Sequence, residues 1–528
     1  MPENTTIDID TATFKGSISA NTGLFIDGKW VDPVIPETID VINPATGKKI
    51  AAVSVGSSKD VDIAVKAAHK AYKTTWGLKC PGSQRGKLLT RLADLLERDR
   101  DQFAALEAIN VGKSMITCAR TVAISFAHAL GKPFNIANGG DLSGSINCIR
   151  YFGGWADKVQ GKTIQNNESK LAYTRREPYG VVGQIIPWNF PMLMLSWKVG
   201  PALATGNCIV LKPSEMTPLS ALKFAELIVE AGFPPGVFNI VNGYVPPSAL
   251  HPGITVGQAI SEHMNISKVA FTGSTLVGRK VLEASAKSNL KVVTLELGGK
   301  SPSIIFDDCD LEKTVRSAMQ AMYGNMGQSC VAGTRIFIQE GIYPQFIEKF
   351  TALVKGLGQA TGDPFAPTTK HGPQVSQVQF DRIMGYIESG KESGATVHVG
   401  GERHGTEGYF IQPTIFTDCT PDMKIVREEI FGPVAAIMTF KTEEEVIDAA
   451  NASEYGLAAC VFSENISRAV RVAHAIESGS TFVNSAQNID PAVPFGGYKA
   501  SGIGREHGEY ALETYTQVKA VHVSIASL

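Results

Sequence analysis

No stretch of this chain stays apolar long enough to cross a membrane. Neither sign of charge dominates: 49 Lys and Arg stand against 51 Asp and Glu, a formal net charge of −2. That balance gives no reason to expect nucleic acid or an anionic membrane as a partner. The eight cysteines form no C-x-x-C pair and show no metal-like spacing, so neither a bound metal nor a disulfide framework is expected. Thiols scattered from Cys80 to Cys460 fit a reducing compartment, and most read as small buried hydrophobes. The acidic opening, Met1 to Asp8, has no apolar signal core and no Arg-rich presequence bias, so a cytoplasmic location is expected. The last residues, Ser524 to Leu528, only poorly approximate a peroxisomal tripeptide. No internal repeat or low-complexity segment is evident.

What is present is a long, balanced chain. Its 528 residues exceed what one hydrophobic core organises, so two or three domains are expected. With 44% hydrophobic and 19% charged residues it reads as soluble and globular. From Leu24 to Val41 the pattern is strand and turn, with Asp27-Gly28 as a hairpin signal. Asp60 to Ala71 and Arg85 to Ile109 read as amphipathic helices, the second with a stripe through Leu88, Leu92, Leu95 and Phe103. Strand-like runs at Val181–Ile186, Asn207–Lys212 and Lys268–Thr272 then alternate with helical ones, which predicts a doubly wound, mostly parallel α/β sheet. A second α/β series runs through Ser303–Phe306, Thr334–Ile338, Ala435–Met438 and Thr481–Asn484. Lys170–Arg176 and Ala520–Ser524 are strand-like and belong to neither series.

Two short stretches carry the chemistry. Cys330 lies in Asn325-Met326-Gly327-Gln328-Ser329-Cys330-Val331, a thiol among small residues. Glu296 lies in Leu295-Glu296-Leu297-Gly298-Gly299-Lys300, a carboxylate in an apolar, glycine-rich run. A thiol attacks a carbonyl only as thiolate, and a Glu among apolar groups can take up a proton near neutral pH. The bland readings are a buried structural cysteine and a strand-end Glu paired with Lys300. Asn189, in Pro187-Trp188-Asn189-Phe190-Pro191, offers a neutral amide donor for an oxyanion; equally, it can cap the helix that starts near Pro191. Phe271-Thr272-Gly273-Ser274-Thr275-Leu276-Val277-Gly278 reads as strand, turn and helix start. Its N–H groups could meet a pyrophosphate, or it could be a plain turn, since it is not the G-x-G-x-x-G pattern. Glu215, in Lys212-Pro213-Ser214-Glu215, could accept from ribose hydroxyls and repel a 2′-phosphate, or simply pair with Lys212.

The motifs around Cys330 and Glu296 resemble the two signature motifs of the NAD(P)-dependent aldehyde dehydrogenase superfamily, and the resemblance runs from about Gly23 to Val521. It is nearest the cytosolic and mitochondrial NAD-dependent branch, in a fungal-like version. It implies a Rossmann-like cofactor domain, an α/β catalytic domain and a β oligomerisation arm. The implied division is 23–158 and 179–298 for the cofactor domain, 159–178 for the arm, 299–505 for the catalytic domain and 506–528 for a C-terminal oligomerisation segment. The implied reaction is NAD-dependent oxidation of an aldehyde to an acid through a Cys330 thiohemiacetal and thioester. Glu296 would be the base, Asn189 the oxyanion donor, and Lys198 and Glu506 proton-relay partners. For the cofactor, the matching positions are Ile185, Pro187, Trp188, Lys212, Ser214 and Glu215. Gly273, Ser274, Val277, Gly278, Leu297, Glu429 and Phe431 complete them. Glu215 favours NAD, while Lys212 leaves some NADP use open. The implied aldehyde tunnel uses Phe190, Met194, Trp197, Ser329 and Phe495, an aromatic collar suited to uncharged aldehydes. The expected partners are a small aldehyde and further copies of the chain, as a homotetramer or homodimer.

Ser485 to Val493 lacks the aromatic residues common in acetaldehyde-preferring relatives, so a betaine- or aromatic-aldehyde specialist is an alternative. Two insertions interrupt the resemblance, Lys113 to Gly131 and Val245 to Pro252. Mistranslated intron sequence and genuine surface loops both account for them, and the second would sit beside the adenine pocket. A non-catalytic member would have lost Cys330, Glu296 or Asn189, and none is lost. A cysteine hydrolase needs a His beside the thiol, and none of the ten lies near Cys330 in sequence.

Overall fold

The computed structural model describes residues 4–112, 140–243 and 255–525. Both expected insertions fall wholly outside them. An eight-stranded sheet and a seven-stranded sheet, each packed with helices, account for the two α/β series.

In the first sheet the parallel run begins near the centre with Val181–Ile185, steps outward through Cys208–Lys212 and Phe238–Ile240, then returns to the other flank with Lys268–Thr272 and Val292–Glu296. These five strands are parallel, and those on the central strand's two sides lead away in opposite directions, the doubly wound arrangement. Val181–Ile185, Cys208–Lys212 and Lys268–Thr272 are buried throughout, as continuous apolar runs covered on both faces require. The hairpin Leu24–Ile26 and Lys29–Val31 closes one edge. Its turn holds Asp27 at φ 54° and Gly28 at φ 74°, which is what Asp-Gly predicts. Gly502–Ile503 closes the other edge against Leu295 and Glu296, so the chain rejoins the first sheet inside the 299–505 stretch.

The second sheet runs in the order Thr396–Val399, Thr414–Thr417, Val434–Phe440, Arg335–Gln339, Pro302–Ile305, Ala458–Phe462 and Ser480–Val483. Only Thr396–Val399 is antiparallel to its neighbour. The two strand-like segments outside both series pair with each other: Lys170–Pro178 lies antiparallel to Thr516–Ser524, with Thr163–Ile164 on its other side.

Two details differ from the sequence reading. The helix read over Arg85 to Ile109 is two helices, Gly82–Arg98 and Arg100–Val111. Asp99, at φ −96° and ψ 14°, ends one and starts the next. A stripe that continues across a one-residue break cannot reveal the break. Asn4–Asp10 and Lys15–Asn21 form an unforeseen antiparallel hairpin whose Ile7, Ile9 and Ile18 are buried.

Candidate active site

Strand register brings the two motifs together. Pro302–Ile305 and Arg335–Gln339 are parallel neighbours, with Pro302 opposite Arg335. The segments leading into them therefore run side by side, one carrying Gly298-Gly299 and the other Cys330. The approach is close enough that a Cβ on Gly299 would lie 2.3 Å from the Cys330 carbonyl oxygen. Glu296 ends a first-sheet strand, and its charge acts on the thiol of Cys330 in the loop that leads into a second-sheet strand.

The Cys330 loop is held in a left-handed turn, with φ of 51°, 57° and 70° at Asn325, Met326 and Gly327. Non-glycine residues there need support. Asn325 Nδ2 donates at 3.0 Å to the carbonyls of both Asn189 and Gln328. The buried Gln328 side chain accepts from Val375 N–H at 2.9 Å. Asn189 Nδ2 donates to the Gln328 carbonyl at 3.0 Å, so the amide serves the thiol loop. It caps nothing: the helix Pro191–Thr205 has Phe190 at its N-cap and no side-chain cap.

Burial pushes the Cys330 thiol well above its usual range, and the charges of Glu296 and Glu429 push it the same way. Glu296 is buried and Oε2 has no hydrogen-bond partner. Burial, and after it the charge of Glu506, raises its carboxyl well above the ordinary value, against the opposing pull of Lys198 and Arg505. It is not paired with Lys300, whose Nζ donates to the Ile425 carbonyl at 2.7 Å. Lys198 is fully buried, reaches Thr272 Oγ1 at 2.7 Å and bonds to the Glu506 carboxylate. Glu506 arrives on the antiparallel bridge to Phe495, in the same turn that returns the chain to the first sheet.

A cavity of about 640 Å³ opens over Cys330 and Asn189, while Glu296, Lys198 and Glu506 are not among its lining residues. Cys330, Ser329 and Asn189 line it together with Phe190, Met194, Trp197 and Phe495 of the expected tunnel. Trp197 meets the Phe495 ring edge to face, with centroids 5.1 Å apart. The cavity continues past Pro187, Trp188, Gly273 and Ser274 to Leu297, Glu429 and Phe431. Trp188 and Phe431 also meet edge to face, at 5.2 Å. Glu429 Oε1 accepts from Gly299 N–H at 2.9 Å, and burial pushes its carboxyl up to about 7. A Cβ on Gly298 would strike the Glu429 carboxylate at 2.3 Å, so only glycine leaves that side open.

Other expected cofactor positions lie outside this cavity. Ile185 and Lys212 end adjacent parallel strands beside the first-sheet reversal, where open α/β sheets hold ligands. Ser214 is buried and accepts from Met216 N–H at 3.3 Å. Lys212 Nζ reaches Glu215 Oε2 at 3.2 Å, so the bland pairing also exists. Ser274 caps the helix Thr275–Lys287 by accepting from Val277 N–H at 3.3 Å. Gly278 lets that helix settle on Leu297, since a Cβ would lie 2.6 Å from Leu297 Cδ2.

Sequence reading passed over several groups here. Gln487 Nε2 donates to the Ala321 and Val331 carbonyls and so braces the thiol loop. Asn325 was findable, because Asn ahead of a glycine is a left-handed-turn signal. Gln487 and the cavity-lining His507 carry no local signal.

A doubly wound sheet, a second α/β sheet and a cavity lined by Cys330, Asn189 and Glu429 define the class: a two-sheet α/β fold with a thiol at its cavity. Sequence comparison gives the family. The pattern of the Aldehyde dehydrogenase family matches residues 30–129 and 123–521, and the chain belongs to that family. It is 61% identical over 525 residues to an aldehyde dehydrogenase of Agaricus bisporus, covering 99% of each chain. It is 49% identical over 504 residues to a mitochondrial aldehyde dehydrogenase of Sus scrofa, covering 95% of this chain and 91% of that one. Among solved structures, an NAD+ complex of an aldehyde dehydrogenase from Bacillus cereus superposes with a TM-score of 0.89 at 44% identity, over 96% of each chain.

Proposed function

We propose that the chain oxidises aldehydes to carboxylic acids with reduction of NAD, using Cys330 as nucleophile and Glu296 as base. The observation that carries this is the meeting of Cys330 and the Asn189 amide at one cavity, with the buried Glu296 near enough for its charge to act on the thiol. The residues fit the cofactor: the strand ends at Ile185 and Lys212, the capped turn at Gly273-Ser274, and Glu429 beside glycines that a Cβ would block. Trp188, Ser274, Glu215, Glu429 and Phe431 would hold it. Glu215 disfavours a 2′-phosphate, while the adjoining Lys212 leaves room for some NADP use.

Cys330 Sγ adds to the aldehyde carbon as its proton leaves toward Glu296. Asn189 Nδ2 carries two N–H groups, and with one spent on Gln328 the other is free for the developing oxyanion. NAD, when bound, would supply the hydride acceptor that lets this adduct pass to a Cys330 thioester. The buried Lys198–Glu506 pair offers a path by which Glu296 gives up that first proton; ionised again, Glu296 takes a proton from the attacking water and can return it to the departing Cys330 thiolate as the acid is released.

The proposed division keeps residues 23–158 and 179–298 with the cofactor, 299–505 with catalysis, and 159–178 and 506–528 with self-assembly. Support for the last is the sheet of Lys170–Pro178 and Thr516–Ser524, which exposes Leu171, Val518 and Val523. We place the protein in the cytoplasm, because the described cysteines, among them the buried Cys80, Cys148, Cys208 and Cys460, are all unbonded. Among the described residues, no helix is long and apolar enough to cross a membrane.

The test is NADH formation by the purified chain with a panel of aliphatic and aromatic aldehydes. Cys330→Ala should abolish turnover. Glu296→Gln should slow deacylation about 10²–10⁴-fold, leaving a thioester detectable by mass spectrometry. Full activity in Cys330→Ala would sink the reading.

A further inference from the structure

The Glu296 motif ends in Lys300, which the proposed chemistry does not use. Lys300 is 2% exposed, and among the described residues its Nζ makes one hydrogen bond, 2.7 Å to the Ile425 carbonyl. An ammonium carries three donors, so one carbonyl satisfies it poorly. Burial, and after it the charge of Arg335, pushes the group down to about 7. For stability alone a methionine would fill the same enclosure without that desolvation. A buried cation with one neutral acceptor calls for an explanation beyond packing.

The surroundings supply one. Ile425 lies in the short helix Lys424–Arg427, which leads directly into Glu428, Glu429 and Phe431. That turn brings Glu429 to the cavity, and three successive residues act on it. Gly298 leaves room for the Glu429 carboxylate, Gly299 N–H donates to it at 2.9 Å, and Lys300 holds the helix that precedes it. Charge adds to this geometry. Lys300 favours an ionised Glu429, and of the charges that favour the Lys300 proton, Glu429 acts ahead of Cys419 and Glu428. The nearby cations are otherwise engaged. Arg335 donates to the carbonyls of Lys300, Ala449 and Ala450, and Arg382 to the carbonyl of Glu429. Glu428 accepts from the Tyr386 hydroxyl at 2.7 Å, while Cys330 and Tyr455 lie within reach of the Glu429 charge.

We propose that Lys300 is a positioning residue for the cofactor: its ammonium pins the turn that carries Glu429 and supplies a nearby positive charge for that carboxylate. The ionised carboxylate then accepts from the ribose hydroxyls in one fixed place. Lys300 does not line the cavity, so it acts through Glu429. This role rests on the reading in which Glu429 holds NAD.

The test follows NAD binding by quenching of intrinsic fluorescence from pH 6 to 9. It compares the wild type, Lys300→Met, Lys300→Arg, Glu429→Gln and the variant carrying both Lys300→Met and Glu429→Gln. Without the cation Glu429 stays protonated to higher pH. Lys300→Met should therefore weaken binding at pH 7 about tenfold and move its rise upward by about one pH unit. Lys300→Arg keeps the charge and should restore part of both. Where Glu429 is already Gln, Lys300→Met should change affinity less than about twofold. In turnover, KM for NAD should rise about tenfold while kcat falls less than about threefold. Without cofactor, hydrogen exchange across residues 424–431 should quicken in Lys300→Met. An unmoved pH dependence, unchanged exchange, or equal losses with and without Glu429 would overturn the role. Faster exchange in Lys300→Met, in a chain that binds no NAD in any form, would instead count against the cofactor reading and leave the pinning of the Glu429 turn standing.

Discussion

Burial holds the Glu429 carboxyl up at about 7, against the Gly299 N–H, Arg382 and Lys300 that favour its charge. A carboxyl raised above its unfolded value binds its proton more tightly in the folded chain. Its contribution to stability is therefore present at low pH and lost as pH rises toward 7. If the ionised form accepts from ribose hydroxyls, NAD affinity should climb across the same interval. Titration of intrinsic fluorescence with NAD from pH 6 to 8 should show that rise in the wild type and a flat profile in Glu429→Gln. Cys330 and Glu296 are also pushed up by burial. The site thus rests with thiol and base more protonated than they would be in water. Leu295 and Leu297 suggested this for Glu296 from the sequence. Nothing local suggested it for Glu429, whose enclosure comes from Gly298 and Gly299, more than a hundred residues away in the chain.

At the scale of elements, the site depends on neighbouring strands more than on loops of its own. The 302–335 register aligns the two motifs, and glycine lets them touch. Gly299→Ala would place a methyl 2.3 Å from the Cys330 carbonyl, against backbone that cannot rotate aside. The expected outcome is a folded protein with kcat lowered about a hundredfold, because an ångström-scale displacement of a nucleophile costs that much. Circular dichroism with single-turnover kinetics checks it, and unimpaired turnover would show the loop has slack. The turn that returns the chain at Gly502–Ile503 works in the same way, delivering Phe495 to the cavity and Glu506 to Lys198 in one excursion.

At the scale of the molecule, two expectations concern parts that the cavity does not touch. If the sheet of Lys170–Pro178 and Thr516–Ser524 joins subunits, a chain ending at Tyr515 should run as a smaller species in light scattering while residues through Tyr515 keep the first core packed. An unchanged mass would exclude that role. Excising Val245 to Pro252 should lower the KM for NAD, because Val241 N–H bonds to the Leu211 carbonyl and Gly257 packs near Lys212 and Ile185, beside the expected cofactor strand ends. The sequence by itself determined the class of fold and the alternation of strands and helices in the two sheets, and it singled out Cys330 and Glu296 as candidates for nucleophile and base. Periodicity and short motifs are local properties, and local chemistry suffices to read them. Tertiary structure alone decided that Glu296 is buried among Glu506, Lys198 and Arg505 rather than paired with Lys300, and that Asn189 serves the thiol loop rather than a helix end. It also decided that Glu429 is raised and that His507 is buried beside Trp197. Each of these depends on desolvation or on a partner brought from a distant part of the chain by sheet register, and neither leaves a trace in the residues next to it.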